Sequence, residues 1–305
     1  MTQDALDFFV GSEPSRIGLR DRVLLLRSVE NFLGLDEDAI TRLAEHARHR
    51  AYRKGDVITE EGAEQESIHI VVAGEVSLIL KNGVQTMSPG GGFGVLSAMA
   101  YAKSRRAVAA ADTRTLEVPV PAFRVAMEEN FSLLRNALRM IGQTMLQKRG
   151  SLPAEPAHPP SVDPGVRFER AKTLAERLVE LREGPFESMN LDALIDMARR
   201  MIECRFPAGH DFWAAGDPST YSFHVDYGRV HCTAADGSTM DVGNNFTLGV
   251  MDVFASQPRS YAARAVTDII GYRISYEDFS IILEMHPQVG LELLRSFSRV
   301  LLETV

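Results

Sequence analysis

An internal repeat is the sequence feature that most limits how this chain can fold. When the chain is shifted by 154 residues, turn glycines coincide, as Gly55 does with Gly209 and Gly62 with Gly216. Because glycine marks positions that need special backbone angles, matched glycines indicate matched turns and therefore one domain folded twice. The same shift matches Gly74 with Gly228, Gly83 with Gly237, Arg105 with Arg259 and Thr113 with Thr267, and one residue of slippage matches Gly94-Val95 with Gly249-Val250.

Short β-type runs separated by turn signals fill the repeat. The turn signals of the first copy include Lys54-Gly55-Asp56 and Lys81-Asn82-Gly83, and the second predicts a hairpin. Short strands at this spacing predict a jelly roll. The predicted fold class is α+β, mainly β: two repeated jelly-roll (double-stranded β-helix) domains with flanking helices. The predicted strands of the first copy are Val57–Thr59, Ser67–Val72, Glu75–Leu80 and Leu116–Val120, and Arg20–Ser28 and Asp36–Arg48 are predicted helices.

A proline-rich segment separates the two copies. Residues 151–164 contain five prolines, a composition typical of a semi-rigid linker. We therefore predict a lead-in at 1–19, a first domain at 20–150, a linker at 151–165 and a second domain at 166–305.

Composition restricts the class of protein. The net charge of −8 argues against general nucleic-acid binding, which needs a basic surface. Two cysteines do not make a disulfide framework, so we expect a reducing, cytoplasmic environment. Met1–Phe9 lacks the features of a signal peptide, and no apolar run approaches the roughly 20 residues that span a bilayer. We therefore expect neither a nucleic-acid nor a membrane partner.

Several segments of both copies resemble one family. In the first copy these are Lys54–Gly62, Val72–Leu78, Phe93–Met99 and Ser104–Ala107. The chain resembles the cyclic-nucleotide-binding domain of catabolite-activator-type regulators and of the regulatory subunit of cyclic-AMP-dependent protein kinase. The corresponding segments of the second copy are Leu248–Asp252 and Pro258–Ser260, of which Pro258-Arg259 fits the family's Pro-Arg dipeptide.

The resemblance implies a phosphate-binding cassette in each copy, but one with a defect. In the family an arginine pairs with the cyclic phosphate and a glutamate binds the ribose 2′-hydroxyl. Arg105 and Arg259 match the arginine, whereas Val95 and Val250 stand in place of the glutamate. Losing a hydrogen bond to a charged group costs about 1.5–3 kcal/mol, so ribose recognition should be impaired. The candidate ligand-binding residues are Gly94, Val95, Leu96, Ser97, Arg105 and Arg106 in the first copy and Gly249, Val250, Met251, Asp252, Arg259 and Ser260 in the second.

The side chains of these cassettes leave two points open. Asp252 can replace the missing glutamate only if it turns toward the pocket, and Ser97 at the matching position of the first copy offers no such rescue. Either arginine can instead pair with internal acidic groups in a pocket that has lost its ligand. Arg106 is expected to be a solvated surface charge.

The sequence points to regulation rather than catalysis. Two pairs of possible metal ligands, His46 with His49 and His231 with Cys232, lack a third partner at metal-ligand spacing. Both pairs are expected to be structural. No catalytic motif is evident, so we expect no enzyme activity, no metal and no cofactor beyond a possible cyclic nucleotide. The favoured hypothesis is a non-enzymatic signalling protein that acts through protein–protein contacts. The alternative is a genuine receptor for cyclic AMP, cyclic GMP or a cyclic dinucleotide.

Two further predictions concern packing and partners. Trp213 should belong to a core. Apolar residues spaced by 3.5 residues line a predicted helix and suggest a homodimer seam. Packing of this helix on the jelly roll of its own domain explains the spacing nearly as well. The partner in the favoured hypothesis is an unidentified protein. The seam residues are Phe131, Leu134, Leu138, Ile141 and Met145.

Overall fold

The computed structural model describes residues 17–29, 32, 36–149, 152, 171–183 and 189–304. The chain divides into two compact units: unit 1 is Met1–Ala137 with Gly290–Val305, and unit 2 is Leu138–Val289. Most of the predicted lead-in and linker lies outside the described residues, and the predicted domain boundaries stay a prediction. Each unit is considered by itself below.

Unit 1 contains two four-stranded antiparallel sheets, with strand orders β1-β8-β3-β6 and β2-β7-β4-β5. This is the predicted jelly roll with flanking helices. Its strands are β1 (Arg48–Tyr52), β2 (Val57–Thr59), β3 (Ser67–Ala73), β4 (Val76–Leu80), β5 (Gly83–Met87), β6 (Gly92–Phe93), β7 (Ala107–Ala109) and β8 (Thr113–Pro119). Its helices are α1 (Leu19–Ser28), α2 (Glu37–His46), α3 (Val95–Ala100), α4 (Val120–Glu129) and the start of α5 (Phe131–Arg149).

Unit 2 repeats the pattern, with strand orders β9-β16-β11-β14 and β10-β15-β12-β13. The repeated fold predicted from the glycines is therefore confirmed. The strands are β9 (Ile202–Phe206), β10 (Asp211–Trp213), β11 (Tyr221–Tyr227), β12 (Val230–Ala234), β13 (Thr239–Val242), β14 (Phe246–Leu248), β15 (Tyr261–Ala265) and β16 (Ile269–Ser275). The helices are the rest of α5, α6 (Leu174–Glu183), α7 (Leu191–Arg200), α8 (Val250–Ala255), α9 (Tyr276–Met285) and the first residues of α10 (Pro287–Thr304), whose remainder from Gly290 belongs to unit 1.

The repeat extends to the capping of single helices. Asp36 accepts a hydrogen bond from the backbone N–H of Ala39 at the start of α2, at 2.6 Å. Asn190, at the same place before α7, accepts from Ala193 at 2.8 Å. A side-chain oxygen at this position satisfies one of the free N–H groups of the first turn, so each helix begins at the same point of its repeat.

The interiors of the two jelly rolls differ in chemistry. In unit 1, the Tyr52 hydroxyl donates to Glu117 at 2.5 Å, and the His69 ring stacks on Phe93 with centroids 4.7 Å apart. Burial lowers the pKa of His69 to about 4, so this imidazole is neutral at pH 7. In unit 2, Phe223 replaces His69 and joins an aromatic core. The other aromatic members of that core are Phe206, Phe212, Trp213, Tyr221, Phe246 and Tyr261.

The predicted dimer seam lies on α5 and is largely buried. Phe131 is part-exposed, whereas the other members of the seam are buried in the single chain. A homodimer through this face stays a prediction. Leu134, Leu138, Ile141 and Met145 are between 0% and 6% exposed. Among the helices described, none is long and apolar enough to cross a bilayer.

Candidate functional site: the two cassettes

A short helix follows a glycine in the same way in both units. Gly94 precedes α3 with φ +84°, and Gly249 precedes α8 with φ +73°. Both helices end on a residue in the left-handed region, Tyr101 at φ +53° and Ser256 at φ +52°. Only glycine adopts the backbone conformation of Gly94 and Gly249 without strain. The matched angles at both ends show that the two cassettes share one backbone path, with equivalent residues 155 apart.

Backbone hydrogen bonds show which residue of unit 1 occupies the position that Arg259 occupies in unit 2. This buried place in each cassette is called the inward position. In unit 1, Ser104 donates its N–H to Ala63 at 2.9 Å, and its carbonyl accepts from Gly62 at 3.0 Å. In unit 2, Arg259 makes the same two bonds, to Asp217 and from Gly216, both at 2.8 Å. Because Gly62 and Gly216 are matched glycines, Ser104 is the counterpart of Arg259.

The pairing of Arg105 with Arg259 predicted from the repeat is therefore wrong. The shift is 154 as far as β4 and β12, but the hairpin that follows β12 has one extra residue, so the shift is 155 from β5 and β13 through the start of the cassette to Ser104 and Arg259. Arg105 matches Ser260, and its side chain leads away from the inward position that Ser104 holds. Ser104 is 2% exposed and bonds the Glu60 and Ala63 carbonyls. Unit 1 thus has a hydroxyl where unit 2 has a guanidinium.

Arg259 is enclosed by its own unit. It is 2% exposed and lies 3.9 Å from the Trp213 ring and 4.9 Å from the Tyr221 ring. It donates to the Tyr221 carbonyl at 2.5 Å and to the Gly249 carbonyl at 3.4 Å. Burial lowers the pKa of Arg259, but its ordinary value is so high that the group stays charged. Carbonyl oxygens and aromatic faces thus already stabilise the cation that would bind a phosphate.

The remaining groups of the second cassette are also engaged. Gly249 donates its N–H to the Tyr261 hydroxyl at 2.8 Å, so a backbone donor at the start of α8 already has a partner. Asp252 is buried and accepts from the Ser260 N–H at 3.3 Å, and burial raises the pKa of this carboxyl. The Asp252 carboxylate thus contacts the loop of its own cassette. Trp213 is 6% exposed in this core, which confirms its predicted burial.

A neutral amide takes the place of the guanidinium in unit 1. Gln65 Nε2 donates to the Ser67 carbonyl at 2.5 Å, and Ser67 is the counterpart of Tyr221. A side chain on Gly94 would collide with this amide, as one on Gly249 would collide with Arg259. Gln65 was not recognised from the sequence, because it lies outside the cassette segment and glutamine in a polar loop carries no particular signal.

The two arginines that follow Ser104 make contacts within unit 1. Arg105 lies 3.4 Å from Glu61 and donates to the Leu302 carbonyl of α10 at 3.2 Å. Arg106 pairs with Glu60 at 2.6 Å and is largely solvated, as expected. Both arginines thus meet acidic or carbonyl groups of the protein.

The other predicted site residues lie at the start of each cassette helix. Val95 and Val250 are the first residues of α3 and α8, and both are part-exposed. Leu96 and Met251 follow them and are also part-exposed, whereas Ser97 is buried like its counterpart Asp252. The ligand-binding role assigned to the twelve predicted residues stays a prediction.

The histidines and cysteines of the described segments form no metal-binding group of three or more ligands. His231 instead pairs with Asp241 at 2.6 Å on the exposed side of β12. Burial raises the pKa of Cys232, so this thiol is protonated at pH 7.

Comparison with known proteins identifies the family. The model of the cyclic nucleotide-binding domain matches residues 49–130 and 203–286, more than half of the chain. This chain belongs to that family and contains its domain twice.

Its relatives are distant. An uncharacterized NTE family protein of Mycobacterium tuberculosis is 30% identical over 123 residues, which is 40% of this chain and 21% of that protein. The CRP-like cAMP-activated global transcriptional regulator of the same species is 23% identical over 40% of this chain and 57% of its own length. The chain thus spans about a fifth of the first relative. The regulatory domain of Toxoplasma gondii PKA, solved with cAMP, matches 93% of this chain and 97% of its own at 13% identity, with a TM-score of 0.36.

Proposed function

We propose that this chain is a non-enzymatic, cytoplasmic regulatory protein that acts through protein–protein contacts and has lost ordinary cyclic-nucleotide recognition. The observation that carries the proposal is which residue occupies the inward position of each cassette. Unit 1 places Ser104 there, and unit 2 places an arginine whose two Nη groups already donate to the Tyr221 and Gly249 carbonyls. Val95 and Val250 add the loss of the ribose-binding carboxylate.

The expected loss of affinity is large. A charged hydrogen bond contributes about 1.5–3 kcal/mol, so losing both anchors in unit 1 weakens binding by about 3–6 kcal/mol, or roughly two to four orders of magnitude. In unit 2, a phosphate must first displace the carbonyls and rings that hold Arg259. A cyclic phosphate therefore gains little from either cassette.

Affinity purification of the tagged chain tests this proposal. The chain is captured from lysate of its own source cells with and without about 1 mM cyclic AMP, a concentration that saturates any site tighter than roughly 100 µM. The proposal predicts that the same protein is recovered in equal yield in both cases. Release of the protein by cyclic AMP, or the absence of any recovered protein, would contradict it.

A second candidate function, a genuine cyclic-nucleotide receptor, is favoured by one feature of unit 2. Arg259 Nε, Trp213 Nε1 and Asp252 Oδ2 are buried without a hydrogen-bond partner in the part of the chain that is described. Unsatisfied buried polar atoms cost free energy, and a bound ligand that opened this cluster would remove the cost. Trp213 is the chain's single tryptophan, so its fluorescence in a cyclic AMP, cyclic GMP or cyclic di-GMP titration reports on this site. No saturable change in fluorescence with any of the three would exclude this candidate.

A further inference from the structure

Strand β5 forms an open edge of its sheet in unit 1. The strand order of that sheet is β2-β7-β4-β5, so β5 has a neighbour on one side only among the described strands. All of its residues except the last are exposed, and Val84 is 62% exposed. An open edge presents backbone N–H and C=O groups that can form hydrogen bonds with another strand.

The backbone of two residues of β5 points away from the sheet. Ile79 of β4 donates its N–H to the Arg106 carbonyl, so its hydrogen bonds lead toward β7 and not toward β5. Because Val84 is paired with Ile79, the N–H and C=O groups of Val84 point toward the free edge. The same alternation applies to Thr86, which is paired with Ser77. Val84 and Thr86 can therefore each exchange hydrogen bonds with an added strand.

The equivalent edge of unit 2 carries a charge that β5 lacks. Asp241 occupies on β13 the position of Thr86 on β5, and each is paired with the same position of the preceding strand. The Asp241 carboxylate lies 2.6 Å from His231 and 3.6 Å from Arg229. Charged side chains and proline are residues that protect a sheet edge from pairing with another chain, and β5 contains neither. The edge of unit 1 is thus open to pairing where that of unit 2 is protected.

The two ends of the β4–β5 hairpin carry opposite charges. Lys81 lies in the turn that joins the strands, Glu75 lies directly before β4, and both are exposed. When two such hairpins pair antiparallel about Gln85, the Lys81 of each copy lies in the same row as the Glu75 of the other. Adjacent strands are about 4.8 Å apart, so three spacings separate the two Cα atoms by roughly 14 Å, which the two long side chains largely span. A second copy of this chain is therefore complementary in charge to the first.

We propose that two copies of this chain associate through their β5 strands, which pair antiparallel about Gln85 and join two sheets into one continuous sheet. Val84 of each copy then lies opposite Thr86 of the other, and each such pair exchanges two backbone hydrogen bonds. A two-fold axis relates the copies, so the contact is self-complementary and the assembly closes at a dimer. This surface is distinct from the predicted seam on α5, and the contact goes beyond the proposed function because it needs no second protein.

Sedimentation velocity of the purified full chain tests the proposal. A shift from monomer to dimer is expected as the concentration rises from about 1 to 200 µM, the range of a weak interface. Thr86→Asp copies the edge of unit 2 and places two carboxylates about 7–8 Å apart across the contact, so it should weaken dimerisation about tenfold. Val57→Asp is the matched control: it adds the same charge to the same face of the sheet, but on β2 at the opposite edge. This control should dimerise as the unchanged chain does.

Two further variants test the backbone bonds and the register. Thr86→Pro removes an outward N–H without removing a bond to β4, so it should abolish the dimer while circular dichroism stays unchanged. Lys81→Glu should weaken dimerisation about threefold, and adding Glu75→Lys to it should restore dimerisation. The proposal is overturned if the chain stays monomeric up to about 200 µM, or if Thr86→Asp and Thr86→Pro dimerise as before. It is also overturned if Val57→Asp weakens the dimer as much as Thr86→Asp, or if the charge-swapped double variant stays weak.

Discussion

The sequestered arginine of unit 2 makes a prediction about stability. Arg259→Met removes the guanidinium but keeps a flexible side chain of similar length. The variant loses the bond to the Tyr221 carbonyl at 2.5 Å and the contact with the Trp213 ring at 3.9 Å. If Arg259 is held by the protein and not kept free for a ligand, the unit should become less stable.

The magnitude follows from opposing contributions. The charged hydrogen bond is worth about 1.5–3 kcal/mol and the desolvated cation–π contact about 2 kcal/mol, whereas the longer bond to Gly249 adds little. Against this, the variant no longer buries a cation, and the methionine gains about 1–2 kcal/mol of apolar burial. We expect a net loss of about 2 kcal/mol in the free energy of unfolding.

Urea unfolding measures this loss directly in unit 2. Trp213, the chain's only tryptophan, reports the transition by its fluorescence. A loss of about 2 kcal/mol lowers the midpoint by roughly 1 M urea at a typical m-value. Gln65→Ala is the matched control: the donor lost is neutral and part-exposed, so circular dichroism should show a loss of about 0.5–1 kcal/mol. An unchanged or higher midpoint for Arg259→Met would refute the view that unit 2 holds its own arginine.

Three other predictions test separate parts of the structure. Gly249→Ala should lower the free energy of unfolding by more than about 3 kcal/mol, because its Cβ would collide with a buried guanidinium. Gly216→Ala is the control: its Cβ meets only open space, so its positive φ alone should cost about 1 kcal/mol. Equal losses in urea unfolding would contradict this prediction. Burial lowers the pKa of His69 and of His224 to about 4, so the unfolded chain takes up protons first as the pH falls. The free energy of unfolding should therefore decrease between about pH 6.5 and pH 4 by up to roughly 1.4 kcal/mol per pH unit for each histidine, and His69→Gln or His224→Gln should flatten the curve. Arg105→Ala should raise hydrogen exchange several-fold in the last turn of α10, and unchanged exchange there would mean that this contact does not hold the helix.

Much of the fold was predictable because glycines and caps carry strong local signals. Gly94 and Gly249, which the sequence matched at a shift of 155, both have positive φ and both precede a cassette helix. Asp36 and its counterpart Asn190 cap helices through the same hydrogen bond. Residue types of this kind report on the backbone directly, which is why the repeated jelly roll could be inferred from one sequence.

The candidate site was less predictable because it depends on register and on long-range contacts. A single extra residue in the hairpin between β12 and β13 moved the true counterpart of Arg259 from Arg105 to Ser104, and backbone hydrogen bonds show this. The role of Gln65 was invisible for a related reason. Its amide reaches the cassette by tertiary folding, and glutamine has no spacing rule that announces such a contact.

The aromatic core of unit 2 was predictable only in part. Trp213 was recognised as a core residue from its place in the repeat, and it is buried. Its stacking on Arg259 was not foreseen, because cation–π contact depends on the path of two separate segments. The repeat thus predicted the burial of Trp213 correctly, but not that the Arg259 guanidinium would be held by the protein itself.

The central claim is that neither cassette presents a free cation to a cyclic phosphate. Titration calorimetry of cyclic AMP into the full chain tests it most directly. The structure predicts no saturable heat through high micromolar ligand, because Ser104 is neutral and Arg259 is already bonded within unit 2. Stoichiometric binding with a Kd of about 10 µM or lower, equivalent to roughly −7 kcal/mol, would contradict it.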